Sequence, residues 1–175
     1  DLDGAKMREW LTAGGTLIAS GRALRWVANQ GLASIQFRDV PQAAKELFLP
    51  YGEKADQRAA RTIPGSIFRA EADLSHPLLY GYSRPEIPVF RRGVLMTEPS
   101  GDPYATPLRY AASPLISGYA PADVIESLAK SAVASASIAG KGHVVAFTDN
   151  PHFRGFWYGT NKLFLNAIFF APIIR

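Results

Sequence analysis

A chain of 175 residues that is 47% hydrophobic and 19% charged is long and apolar enough to bury a core, which sets it apart from disordered chains. It has no cysteine, so disulfides, thiolate nucleophiles and cysteine-held metals are excluded. The net charge of +4 is spread thinly: the only adjacent basic pair is Arg91-Arg92, and without a basic stripe interleaved with aromatics no nucleic-acid partner is expected.

Met7, Trp10 and Leu11 fall on one helix face, and Gly14-Gly15 would end that helix, because glycine readily takes the left-handed backbone of a C-cap. Thr16 to Ala19 is a short, wholly apolar run of the kind found in buried parallel strands. Ser20-Gly21 makes a turn, and Leu24, Val27 and Ala28 suggest a second helix. Helix, strand, turn and helix in this order predict a doubly wound α/β sheet with Thr16–Ala19 as an inner strand. Ala43, Ala44, Leu47 and Phe48 favour a helix that Pro50 and Gly52 would break, and Asp56 to Arg61 reads as polar and exposed. Ile67, Phe68 and Ala70 form a strand after the Pro64-Gly65 turn. Residues 74–122 hold eight of the thirteen prolines, which predicts a loop-rich stretch with short extended pieces at Val89-Phe90 and Val94-Leu95-Met96. Ala132–Ile138 and His143–Thr148 read as a hairpin about Gly140-Lys141-Gly142. A last helix is expected from about Asn161 to Phe170, capped by Thr160; apolar on most sides, it would be buried against the sheet. The run Leu163–Ile174 is broken by Asn166 and Pro172 and falls short of the ~20 residues that span a bilayer, so no membrane span is expected. The chain starts at Asp1 with no signal-like segment, which leads us to expect a fragment or processed product of a longer polypeptide, folded as one domain over residues 1–175.

The three histidines, His76, His143 and His152, lie at no metal-ligand spacing to one another or to a carboxylate, so neither a metal site nor a cofactor is expected in this chain. Ser20 sits between a strand and a helix, where a nucleophile elbow would place it, with His76 or His152 as its base. The surrounding Ala19-Ser20-Gly21-Arg22 lacks the full elbow pattern, and a turn serine is the preferred reading. His76 precedes Pro77, which holds it extended, as suits a packed loop or a base. The stretch Asp149, Asn150, His152, Arg154 and Trp157 mixes charge, amide and aromatics just past a strand's C-terminal end, where open α/β sheets bind ligands, and the helix start at Gly159-Thr160-Asn161 could hold an anion. The alternative is structural: Arg154 pairs with a carboxylate while Phe153, Phe156 and Trp157 cover the sheet edge.

Glu9-Trp10-Leu11-Thr12-Ala13-Gly14-Gly15-Thr16-Leu17-Ile18-Ala19 resembles a segment of class I glutamine-amidotransferase-like domains. The blocks Pro64–Arg69, His76–Tyr82, Pro88–Phe90, Leu115–Tyr119, Gly140–Val145 and Asp149–Phe170 together resemble the C-terminal region of large bacterial zinc carboxypeptidases of the carboxypeptidase A type, in that family's order and over nearly the whole chain. The resemblance implies a flavodoxin-like or amidotransferase-like three-layer sandwich with a mainly parallel sheet whose first strands precede Asp1. It also implies a secreted or periplasmic parent whose zinc is bound in an N-terminal peptidase domain; that metal motif is absent here, so no catalytic residue carries over. A sheet lacking strands would expose an edge and an apolar face to the peptidase domain or to a second copy.

Three functions follow. The first is a non-catalytic accessory domain of a zinc metallocarboxypeptidase. The second is a small-molecule or peptide-binding domain using the Asp149–Trp157 corner, and the third is a cryptic serine hydrolase built on Ser20.

Overall fold

The computed structural model describes residues 3–39, 50–53 and 62–175. The expected helix at Ala43–Phe48 and the polar stretch Asp56–Arg61 lie outside these residues.

The first three predicted elements form. Helix α1 spans Gly4–Thr12, and the Asp3 carboxylate caps it by accepting from the Ala5 N–H. Gly14, at φ 121°, and Gly15 turn the chain into strand β1, Thr16–Ser20. Gly21 at φ 55° leads to helix α2, Ala23–Asn29. A short strand β2, Phe37–Arg38, follows. Beyond it lie β3 (Ser66–Ala72), β4 (Glu86–Arg91), β5 (Met96–Thr97) and β6 (Leu108–Ser117). Helix α3 (Ala122–Leu128), the hairpin β7 (Ala132–Ala139) and β8 (Gly142–Phe147), and helix α4 (Tyr158–Phe170) complete the fold.

The strands make one mixed sheet in the order β1-β8-β7-β6-β3-β4, with β5 joining β7 to β2. Among the described strands only β1 and β8 pair in parallel, Thr16 with His143 through Ser20 with Phe147; the other pairings are antiparallel. The expected mainly parallel sheet is thus confined to one pair. A parallel neighbour needs a long crossover, usually helical, whereas tight turns and proline-rich loops link the later strands. Strand β6 was missed in the sequence because Pro114 interrupts it. The structure tolerates that proline in an irregular stretch, where Phe68 pairs with Leu115 but Ala70 already pairs with Tyr110.

Strand β1 lies at the sheet's edge, half-buried except for Ala19, rather than inside it. Its apolar run has another cause: Leu17 and Ala19 pack in one cluster with Leu11, Leu24 and Val27, while Ile18 packs against the second cluster beneath α4. Helices cover both faces of the strand, and its outer edge is unpaired among the described strands. All six residues of β8 are buried, as a strand flanked on both sides requires. Gly142 is needed at its start, since a Cβ there would stand 2.2 Å from the carbonyl oxygens of Leu11 and Gly15.

Helix α4 begins three residues earlier than expected, and Thr160 is not its cap; the Thr160 hydroxyl donates instead to the Pro151 carbonyl at 2.6 Å. Nor is the helix buried all round. Leu163, Asn166 and Ala167 face the core, with Asn166 Nδ2 donating to the Leu78 and Tyr80 carbonyls, whereas Leu165, Ile168, Phe169 and Phe170 are exposed.

Candidate functional site

The parallel pair β1 and β8 ends at Ser20 and Phe147, and the chain turns away at Gly21 and after Thr148. Above these ends opens a cleft of about 1110 Å³. It is lined by Gly21, Arg22 and Arg25 at the start of α2, by Phe37 and Arg38 of β2, and by Phe90, Arg92 and Phe153. Thr148, Asp149 and Asn150 also line it.

Beside the cleft lies a buried ionic node. Ile87, Val89 and Arg91 alternate inward along β4, so the last residue of this inward row is a fully buried arginine. Arg91 Nη1 donates to Asp149 Oδ2 at 2.5 Å and to the Tyr110 hydroxyl at 3.2 Å, and Nη2 donates to the Leu95 carbonyl. The Tyr110 hydroxyl donates to the same carboxylate oxygen at 3.0 Å. Burial pushes the Asp149 carboxyl up from its ordinary range, while Arg91, Tyr110 and the Arg92 backbone N–H act in the opposite sense. Burial also opposes the charge on Arg91, yet Asp149 and Tyr110 leave its pKa raised. Asp149 is thus already partnered, although 15% of its side chain remains exposed towards the cleft.

This corrects the expectation for Arg154. The carboxylate at this corner is held by Arg91, not Arg154. Arg154 sits in a tight turn at φ 53°, is exposed, and places its guanidinium 5.4 Å from the Phe153 ring centroid. The i, i+2, i+4 spacing of Ile87, Val89 and Arg91 was the readable signal for the buried arginine.

The other expected residues have structural partners. Asn150 Oδ1 accepts from the His152 backbone N–H at 2.9 Å. Trp157 Nε1 donates to the Pro88 carbonyl at 3.3 Å and, with Phe153 and Phe156, surrounds Phe90; Phe90 and Phe153 stack at 4.5 Å. The aromatics do cover the sheet edge. Buried His76 caps the short helical turn Pro77–Leu79, its Nδ1 accepting from the Leu78 N–H at 3.1 Å, and desolvation lowers its pKa. His143 Nε2 lies 3.1 Å from the Ile174 carbonyl and helps tie down the C-terminal turn.

Ser20 and exposed His152 line a separate small pocket of about 230 Å³ with Asn150, Pro151 and Phe164, but no hydrogen bond joins the two among the described residues. Among the same residues no cluster of three or more histidines or carboxylates could hold a metal, and no helix is long and apolar enough to cross a membrane.

The charges on the cleft differ in kind. Arg38 is engaged: it forks onto Glu98, whose pKa falls through that hydrogen bond, and donates to the Ser127 and Ala129 carbonyls at 2.6 and 3.0 Å. Arg22, Arg25 and Arg92 are exposed and have no carboxylate or hydrogen-bond partner for their side chains among the described residues. Against these three guanidiniums the described residues of the cleft include one carboxylate outside an ion pair, Asp39.

Fold and site together define a mixed α/β domain with an arginine-lined cleft at the ends of its parallel strands. No family model, curated protein or solved structure matches the chain.

Proposed function

We propose that this chain is a non-catalytic binding domain whose cleft receives an anionic small molecule or the acidic end of a peptide. The observation that carries the reading is the set of three arginines, Arg22, Arg25 and Arg92, without side-chain hydrogen-bond or carboxylate partners among the described residues, around a cleft at the C-terminal ends of β1 and β8. Guanidiniums are suited to forked donation onto carboxylates and phosphates, and open α/β sheets take ligands at such strand ends. The site overlaps the Asp149–Trp157 corner only in part: Asp149 belongs to its buried support, Asn150 and Phe153 line it, His152, Arg154 and Trp157 do not, and the cations come from α2 and the segment after β4. Thermal melts with a panel of carboxylates and phosphates test it. Some anions should raise the melting temperature of the wild type but not of the Arg25→Met/Arg92→Met double variant; a flat response to every anion removes the proposal.

A second observation favours a role within a larger assembly. Leu165, Ile168, Phe169 and Phe170 expose an apolar side of α4, and β1 presents an unpaired edge among the described strands. In this reading the chain is an accessory domain of an exported zinc carboxypeptidase, the zinc belongs to the peptidase domain, and a further strand beside β1 would complete an amidotransferase-like sheet. A homodimer through the same surface is the competing arrangement. Sedimentation of the wild type and of Phe169→Asp separates them, since only the homodimer predicts a dimer that the substitution dissociates. Ser20 is not a nucleophile in either reading, and the expected outcome is no labelling by a fluorophosphonate probe that Ser20→Ala abolishes.

A further inference from the structure

The way the cleft's guanidiniums are held narrows what they would bind. Arg25 places Cζ 4.8 Å from the Phe37 ring centroid, and Arg92 places Cζ 6.0 Å from that of Phe153. Both rings also line the cleft. A guanidinium resting against a ring is steadied without using its N–H donors, so part of the rotamer entropy that binding would cost is already spent. Arg25 comes from α2 and Arg92 from the segment after β4, so two separately steadied cations open onto one cleft. At about 1110 Å³ this space lies at or above the upper end of ordinary small-ligand pockets, so a single acetate or phosphate would occupy only a fraction of it.

We infer that the cleft binds a two-headed oxyanion, a ligand with one acidic group received by Arg25 and a second received by Arg92. Arg22, three residues before Arg25, adds positive charge near the first head. Carboxylate and phosphoryl heads share the recognition chemistry, because both accept forked donation from a guanidinium. The inference rests on the anion-binding reading of the cleft and goes beyond it by requiring two heads on one ligand.

Titration calorimetry at low ionic strength tests it with paired probes: glutarate and suberate against butyrate, and fructose 1,6-bisphosphate against inorganic phosphate. A two-headed probe is expected to bind about 10-fold or more tightly than its one-headed counterpart, because the second contact forms intramolecularly. Arg25→Met and Arg92→Met, which keep an apolar stem on each ring, should each reduce that probe to the one-headed level. The dicarboxylate and bisphosphate arms identify the head group. Equal binding of one-headed and two-headed probes, or two-headed binding that survives either substitution, overturns this inference while leaving an anion site standing. Failure of every anion to bind removes the anion site as well. If a methionine variant melts early, Arg25→Lys and Arg92→Lys take its place: they keep the charge but lose the fork, and each should lower two-headed affinity by several-fold, whereas unchanged affinity counts against the inference.

Discussion

Arg91 and Arg92 are neighbours in the chain and opposites in the fold. Arg91 is fully buried, bound to Asp149, Tyr110 and a backbone carbonyl, and joins β4 to the end of β8. Arg92 has its side chain exposed on the cleft, steadied against a phenyl ring, with its guanidinium donors free of partners among the described residues. A strand's alternation turns one side chain inward and the next outward. The inner arginine spends its charge on the fold and the outer one keeps it for solvent or a ligand. Positive charge in this molecule therefore has two roles, and substitution should separate them.

The largest effect is expected at the buried node. Asp149→Ala strands the Arg91 charge in the core and should destabilise the fold by about 3–5 kcal/mol, measured by denaturant unfolding. The double variant Arg91→Met/Asp149→Asn removes both charges and should recover part of that loss, the positive coupling of an interacting pair. If the double variant is no more stable than the single, the node is not acting as a pair. Tyr110→Phe deletes one hydroxyl that bridges the two ions and should cost about 1.5–3 kcal/mol, as a hydrogen bond to a charged group does.

A smaller effect depends on pH and lies outside the cleft. His76 has its pKa lowered chiefly by desolvation, with Asp73 opposing, and its neutral Nδ1 accepts from Leu78. The unfolded chain therefore takes up this proton first as the pH falls. The contribution of His76 is complete above the ordinary histidine value of about 6.5 and is lost as the pH drops from there through the lower folded-state value. His76→Asn can still cap the turn but does not titrate, so its melting temperature should fall less than that of the wild type between about pH 7.5 and 5. Equal falls would dissociate His76 from the acid sensitivity.

The smallest stability effects belong to the exposed arginines. Arg92→Met, Arg25→Met and Arg154→Ala should each change stability by less than about 0.5 kcal/mol. Only the first two should weaken anion binding, since Arg154 does not line the cleft. A strong destabilisation by Arg154→Ala would restore the structural role that the sequence suggested for it.

Local patterns carried much of the secondary structure. Helix α1, its glycine stop, β1, α2, β3 and the β7–β8 hairpin follow from spacing and turn residues that act within a few positions. The aromatics after β8 were correctly read as cover for a sheet edge. Strand β6 was lost in a proline-rich stretch, because a proline argues against a strand until a bulge is known to hold it; the seven-residue helix α3, which starts directly after Pro121, is too short for its spacing to stand out. In the candidate site, Asp149 and Asn150 were singled out from sequence, but Arg22, Arg25 and Arg92 were not. Scattered basic residues give no signal until distant segments bring them to one cleft.

The sequence by itself determined that this chain has a core, that α1, β1, α2 and the β7–β8 hairpin lie where glycine and alternation put them, and that cysteine chemistry is absent. Tertiary structure decided strand direction, which carboxylate the buried arginine meets, and which side of α4 stayed exposed. Periodicity records that a face is covered but not by what. An apolar run such as Thr16–Ala19 reads the same at an open edge as inside a sheet, because helices on both faces demand the same side chains in either place.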